Sequence, residues 1–354
     1  MTTTQIDERK VEELVGRIVS DGGAAIGTVL AYVGDKLGLW RALAEIGPAT
    51  PDDLAKATGT HERMIREWLS AQAAGGYVTY SPDAKTFSLT PEQAVCLANE
   101  GQPGYLGGLF QIVSEWAQVI DKAEDAFRTG KGLGWGDHTR GAHTGTERFF
   151  RPLYEGSLVD TWIPALEGVQ AKLEQGARVA DVGCGHGAST VIMAKAFPRS
   201  TFVGFDFHAP SIERARQLAQ AEGVADRVKF EVARATDVSG GPYDLVAIFD
   251  ALHDMDEPVD AAAQIRGVLA PDGTLMLVEP FANDKLEDNL NPVGRVFYGA
   301  STLVCTPSSL NDDGLALGAQ AGYAKLSDVL AKGGFRRVRK AVETPFNLVL
   351  EARP

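Results

Sequence analysis

Residues 178–187 read Arg178-Val179-Ala180-Asp181-Val182-Gly183-Cys184-Gly185-His186-Gly187. The first half is short and apolar at Val179, Ala180 and Val182, which predicts a buried strand. Gly183, Gly185 and Gly187 then predict a sharp turn, where the backbone can bend and a ligand can approach without meeting a Cβ. A helix is expected to open at Ala188, with Val191, Ile192, Ala194 and Phe197 on its packing side. A strand, a glycine turn and a helix N-terminus form a nucleotide site in open α/β sheets.

Downstream, strand and helix alternate. Strands are expected at 201–206, 228–232, 243–249 and 275–278, with helices at 212–221, 259–269 and 326–331. Pro271-Asp272-Gly273 stops the second of these helices, and Gly333-Gly334 the third. Two late strands are expected near 337–341 and 347–352. The fold class is therefore α/β, a seven-stranded, doubly wound, mostly parallel sheet with helices on both faces. Residues 281–322 interrupt the rhythm as a long excursion after the fifth strand, of the kind that walls a substrate site.

Upstream, residues 6–20, 24–37 and 39–43 each show helical apolar spacing, the first through Val11, Leu14, Val15, Ile18 and Val19. These faces suit the core of a small domain or a dimer seam. Thr50-Pro51-Asp52-Asp53 caps a short helix with proline at its first position, and Thr60 is expected to cap the next. Strand, turn and strand follow over 77–90, so the segment reads as a winged helix. A nucleic-acid role needs basic charge. Residues 1–100 carry 9 basic and 14 acidic side chains, which favours structural or dimerising use.

The expected organisation is a helical, winged-helix domain over 1–100, a bridge over 101–170 and the sheet domain over 171–354. Residues 105–127 have helical spacing, and Gly130 to His138 is too glycine-rich to hold a helix. Glycine beside Trp135, Phe149 and Phe150 suits either a lid over an apolar pocket or an ordinary linker.

Three cysteines, Cys96, Cys184 and Cys305, lie too far apart for a disulfide framework or a Cys-x-x-Cys metal motif, which suits a reducing cytoplasm. The net charge of −13 does not favour nucleic acid. The N-terminus has no apolar core of a signal peptide. No uninterrupted apolar run reaches the ~18–20 residues of a membrane span, so no membrane is expected.

Gly183-x-Gly185-x-x-Ala188 satisfies a loose dinucleotide fingerprint. Three features point away from a dehydrogenase. Asp181 precedes the first glycine and can face a cationic ligand, the third glycine falls at 187, and the late strands follow an excursion rather than a second nucleotide-binding half. Val179 to Gly187 resembles the first motif of class I S-adenosylmethionine-dependent methyltransferases, and Gly204-Phe205-Asp206 resembles their second. Tyr243 to Val246, and Leu269 to Gly273 through Leu277-Val278-Glu279-Pro280, resemble the motifs around strands four and five. The winged-helix region is similar to the domain through which small-molecule O-methyltransferases usually dimerise.

The resemblance implies S-adenosylmethionine as cofactor, a small-molecule acceptor and a homodimer. It implies that Gly183, Gly185 and Gly187 hold the methionine end, and that Asp181 supports the turn and the ammonium. Asp206 would accept hydrogen bonds from both ribose hydroxyls, as an acceptor-only group can, and Phe207 would pack on the adenine. Phe249, ending strand four, belongs to the same site. Arg234 occupies the slot where the family often places an acid for the adenine amine. Asp237 is the alternative, with Ala235 and Thr236 adding backbone or hydroxyl contacts. His186 reads as a tolerated side chain in the turn.

Asp250 to Glu257 resembles the His-Asp-Trp-x-Asp-Glu motif of O-methyltransferases, with Met255 in place of the tryptophan. Its histidine, His253, is the candidate base; a pocket-lining role is the other reading. Asp254 or Asp256 would orient the ring or cap the following helix. Trp135, Phe149, Arg295 and Tyr298 are the candidate substrate-pocket residues, and they suggest an apolar or aromatic acceptor. O-methylation is favoured over N- or C-methylation, and a cofactor-sensing winged-helix regulator is the competing class.

Overall fold

The computed structural model describes residues 6–354; part of the N-terminal stretch read for a leader lies outside them. The chain forms two compact units, Met1–Gln118 with Gly141–Pro152, and Val119–Arg140 with Leu153–Pro354.

The first unit opens on one helix, Glu8–Lys36, where two were expected. Gly22 and Gly23 do not break it, because glycine costs about 1 kcal/mol in a helix but keeps its hydrogen-bonding N–H. By length and composition alone this helix is apolar enough to cross a membrane. Glycine, alanine and threonine spaced among Val and Ile give it this character without an uninterrupted apolar run. Its C-terminal third packs on Trp40 and Trp68, whose indole N–H groups donate to the carbonyls of Ala31 and Leu30 at 3.0 and 2.8 Å.

Helices Pro51–Thr58 and Glu62–Ala74 follow, then strands β1 (Thr79–Ser81) and β2 (Thr86–Ser88). The strands pair antiparallel as the wing, and an Ala49–Phe87 bridge extends it. His61, not Thr60, caps the second helix, accepting from the Arg63 N–H at 3.2 Å. The Thr60 hydroxyl instead pairs with that of Thr58. Arg148 fastens residues 141–152 to this unit through a two-pronged pair with Asp35 at 2.7 and 3.1 Å, with Glu100, Tyr105 and Gln111 completing its shell. Paired N–H donors on a half-buried carboxylate are among the stronger ionic contacts.

The second unit is built on β3 (Arg178–Val182), β4 (Thr201–Asp206), β5 (Val228–Val232), β6 (Tyr243–Phe249), β7 (Leu269–Pro280), β8 (Arg337–Glu343) and β9 (Asn347–Arg353). Their spatial order is β5-β4-β3-β6-β7-β9-β8. The first five run parallel, and β9 enters antiparallel between β7 and β8. This is the seven-stranded, mostly parallel sheet expected from the alternation. The fifth strand starts earlier than expected, at Leu269, because Pro271-Asp272-Gly273 lies in an irregularity where Tyr243 pairs with Leu269 but Leu245 with Thr274.

Apolar alternation fixes the register. Val182, Val246, Ile248, Leu275, Leu277 and Leu350 meet Ile265, Leu326, Val329 and Leu330 in one buried core. Strand order reverses between β3 and β6, and open α/β sheets bind ligands at the carboxyl ends of strands at such a switch point. The glycine turn and the Asp250–Glu257 segment both leave the sheet there.

Candidate active site

All three glycines of the turn need backbone conformations that side chains resist: φ is +74° at Gly183, +52° at Gly185 and +81° at Gly187. Gly187 also sits against Phe230, 2.6 Å from where a Cβ would fall. The N–H groups of Gly183 and Cys184 donate to the Phe205 carbonyl at 2.8 and 3.0 Å. Gly185 N–H reaches the Asp206 Oδ2 at 2.9 Å, and the His208 N–H reaches Oδ1 at 2.8 Å. The two motifs, far apart in the chain, are thus joined through Asp206. Phe207 follows with 57% of its surface exposed.

Asp181 is fully buried. Its Oδ2 accepts from the Ser189 and Thr190 hydroxyls, each at 2.6 Å, while Oδ1 has no hydrogen-bond partner among the described residues. Burial pushes its pKa up to about 6, against the lowering effect of the two hydroxyls. Beyond β5, Ala235–Asp237 form a 3₁₀ turn, and the Ala233 N–H before it donates to the Asp206 carbonyl at 3.0 Å. The Arg234 guanidinium pairs with Asp256 and lies 3.9 Å from Asp312. Its charge is engaged by acids, which leaves Thr236 and Asp237 as the polar groups of this turn.

Phe249 ends β6 and packs against Tyr154, ring centroids 5.2 Å apart. Asp250 follows at φ +49°, a conformation that costs a non-glycine residue about 1–3 kcal/mol and tends to cluster at functional sites. Its carboxylate accepts from the Tyr154 hydroxyl at 2.9 Å and the Asn347 amide at 3.2 Å. Burial, then the nearby Glu279 charge, raises its pKa to about 7.

His253 lies on the next turn, buried at 3% exposure. Its Nδ1 is 2.5 Å from Glu279 Oε2, and Glu279 Oε1 accepts the Leu252 N–H at 3.0 Å. Burial is the largest single influence and works against charge on the ring, but Glu279 and Cys305 together outweigh it and raise the imidazole pKa. Nε2 faces Cys305 Sγ at 3.3 Å. Asp254, pushed up to about 7 by burial, lies alongside. The excursion docks here: the Gly318 N–H donates to the His253 carbonyl at 3.0 Å, and the Ser309 hydroxyl to that of Met255 at 2.9 Å.

The candidate pocket residues are more dispersed. Arg295, exposed, and Tyr298, half-buried, share helix Pro292–Ala300, which runs into a π-helical turn, Ser301–Cys305, carrying Cys305 to His253. Trp135 is half-buried on a 3₁₀ turn. The glycine stretch before it is tied to the excursion: Lys131 Nζ pairs with Asp313 at 2.5 Å, and Gly132 N–H donates to Asn311 at 3.1 Å. Phe149 is buried in the other unit, against Phe150.

The sequence reading named neither Glu279 nor Cys305 as a site residue. Glu279 had a signal, a carboxylate ending the apolar run Leu275–Val278. Cys305 had none, since only the fold of the excursion brings it to His253. The same holds for Tyr154 and Asn347 at Asp250.

Comparison with known families decides the chemistry. Residues 173–317 match a methyltransferase domain, and residues 24–99 match an Rv2258c-like winged HTH domain. The second unit thus carries a methyltransferase domain. This methyltransferase is 26% identical over 316 residues to a mitomycin biosynthesis 6-O-methyltransferase of Streptomyces lavendulae, covering 86% of this chain and 84% of the relative. Its fold matches human N-acetylserotonin methyltransferase in complex with S-adenosylmethionine at a TM-score of 0.72, with 14% identity over 100% of this chain and 99% of that one. An O-methyltransferase from neocarzinostatin biosynthesis, in complex with S-adenosylmethionine and 2-hydroxy-5-methyl naphthoic acid, matches at 0.63, with 16% identity over 99% of each chain.

The site of the methyltransferase has the chemistry such a cofactor requires. Nothing lies within 4 Å of where a Cβ on Gly185 would fall, and the orphaned Asp181 Oδ1 is an acceptor suited to a cationic donor.

Proposed function

We propose that this methyltransferase acts on a hydroxyl of a small apolar or aromatic molecule, with His253 as the base that accepts the hydroxyl proton. The observation that carries the reading is the buried His253–Glu279 pair at the carboxyl edge of the sheet, in the turn after β6. S-adenosylmethionine, when bound, supplies a methyl group activated by its sulfonium.

In this reading the backbone of Gly183, Gly185 and Gly187 and the carboxyl of Asp181 hold the methionine end. Asp206 holds the ribose hydroxyls, and Phe207, Phe249 and the Ala235–Asp237 turn surround the adenine. Glu279 holds the Nδ1 side of the imidazole and stabilises the imidazolium that forms when Nε2 takes a proton. A base so placed raises the nucleophilicity of the acceptor oxygen. The docked excursion, with Arg295 and Tyr298, and the Trp135 turn help to exclude water, which strengthens these interactions.

A small aromatic acceptor is supported by Trp135 and Tyr298 and by the naphthoic acid in the neocarzinostatin relative. A DNA-binding regulator is disfavoured: Arg63 and Arg66 on the second winged-helix helix pair with Glu67 and Glu62. Their charge is neutralised within the helix rather than offered to phosphates.

The active unit in this reading is a cytoplasmic homodimer joined by helix Glu8–Lys36. Ile18, Val19 and Ile26 on it are 61%, 69% and 66% exposed. Such apolar stripes mark association surfaces. The test is incubation with isotopically labelled S-adenosylmethionine and a panel of phenols, aliphatic alcohols and aromatic amines. Label on oxygen of an aromatic acceptor supports the reading; label transferred only to nitrogen or carbon overturns it.

A further inference from the structure

Three donors of different chemistry converge beside the proposed base. A His253 ring nitrogen, Cys305 Sγ and an Asp254 carboxylate oxygen all lie within 4.8 Å of one another, and Nε2 is the nitrogen that faces Sγ. His253 and Cys305 are buried at 3% and 7% exposure, and Asp254 is half-buried. No lysine or arginine pairs with Asp254 among the described residues. Imidazole, thiolate and carboxylate are the ligand types of zinc.

We propose that His253, Asp254 and Cys305 form a three-ligand site for Zn²⁺. Zn–N and Zn–S bonds of about 2.0–2.1 and 2.3 Å set tetrahedral donors roughly 3.6 Å apart, and Nε2 and Sγ are already 3.3 Å apart. The remaining pairs, all within 4.8 Å, need close by no more than about an ångström. Outside the ligands, Glu279 on Nδ1 reproduces the carboxylate–histidine–zinc arrangement that fixes the ring and raises its basicity. Glu279 is itself fixed by the Leu252 N–H. Three protein ligands leave a fourth position open, as in zinc sites that bind water or substrate.

The inference rests on the methyltransferase reading for its consequence: metal on Nε2 withdraws that nitrogen from proton acceptance, so the site couples methyl transfer to the availability of a thiophilic cation. Binding the metal releases to solvent the Cys305 thiol proton and any proton held on His253 Nε2 or Asp254, and no redox change is involved.

The test uses the full chain, stripped of metal and titrated with ZnCl₂ by calorimetry, and separately with CoCl₂ by absorption. Expected are one Zn²⁺ per chain and a thiolate-to-cobalt band in the near ultraviolet. Both are lost in Cys305→Ser and weakened in Asp254→Asn. Glu279→Gln lowers Zn²⁺ affinity about 10- to 100-fold. Cofactor affinity, measured on the same samples, is retained in each variant and reports both folding and the methyltransferase reading independently. Zinc binding unchanged in Cys305→Ser, or a cobalt complex without the thiolate band, overturns the site while leaving cofactor binding intact.

Discussion

The Nδ1 atom of His253 lies 2.5 Å from Oε2 of Glu279, with both side chains buried. The carboxylate raises the imidazole pKa above its ordinary value even though burial opposes the charge. A base with a raised pKa is protonated at lower pH, so methyl transfer rises as pH climbs through it. Glu279→Gln removes the stabilising charge and leaves the burial, so the midpoint moves to lower pH. His253→Ala slows turnover about 10²- to 10⁴-fold, the usual contribution of a general base, with cofactor affinity unchanged. A pH–rate profile of the three proteins checks this; full activity in His253→Ala rejects the base.

Gly187 stands between a left-handed backbone and the Phe230 ring. Gly187→Ala adds the cost of positive φ, about 1–2 kcal/mol, to an overpacking cost of about 1–3 kcal/mol. The variant is expected to unfold at lower urea by roughly 2–5 kcal/mol. A change below 1 kcal/mol shows that the turn relaxes freely and that its shape is not imposed by the glycine.

Asp181 gives a pH signature in stability. Its folded pKa of about 6 lies above the unfolded value of about 3.9. Between these values the folded chain holds a proton that the unfolded chain has lost, so stability falls as pH rises from about 4 to 6. The loss amounts to about 2–3 kcal/mol. Other carboxylates titrate in the same window, so the measurement is the difference between wild type and Asp181→Asn by urea unfolding at pH 4, 5 and 6. That difference shifts against wild type as pH rises; a flat difference contradicts a raised Asp181.

The proposed dimer predicts a simple change of mass. Ile18→Glu with Ile26→Glu places charge on the exposed stripe of helix Glu8–Lys36 and leaves the packed third near Trp40 and Trp68 untouched. Sedimentation is expected to show a dimer for wild type and a folded monomer for the variant. A wild-type monomer, or a variant that still dimerises, removes the helix from the interface.

Local chemistry made much of this molecule legible in advance. The glycine turn was readable because three glycines at that spacing signal φ values other residues avoid, and Asp206 because a lone acid ends an apolar strand. The parallel sheet followed from regular alternation. Helix Glu8–Lys36 was misread because Gly22-Gly23 looks like a stop although it breaks no hydrogen bond. The contacts of Glu279, Cys305 and Tyr154 were not readable, because sequence spacing carries no record of which strand ends become neighbours or where a long excursion folds back. Arg234 stands where an acid was expected in the adenine slot, and its pairing with Asp256 could not be read from spacing.

Asp206, held by the Gly185 N–H at 2.9 Å, is the residue on which the proposed cofactor site depends. Calorimetric titration of the full chain and of Asp206→Ala with S-adenosylmethionine tests it most directly. Expected are one cofactor per chain for wild type and at least tenfold weaker binding for the variant, about 1.4 kcal/mol or more. Equal affinity in the two proteins, or no binding to wild type, would contradict it.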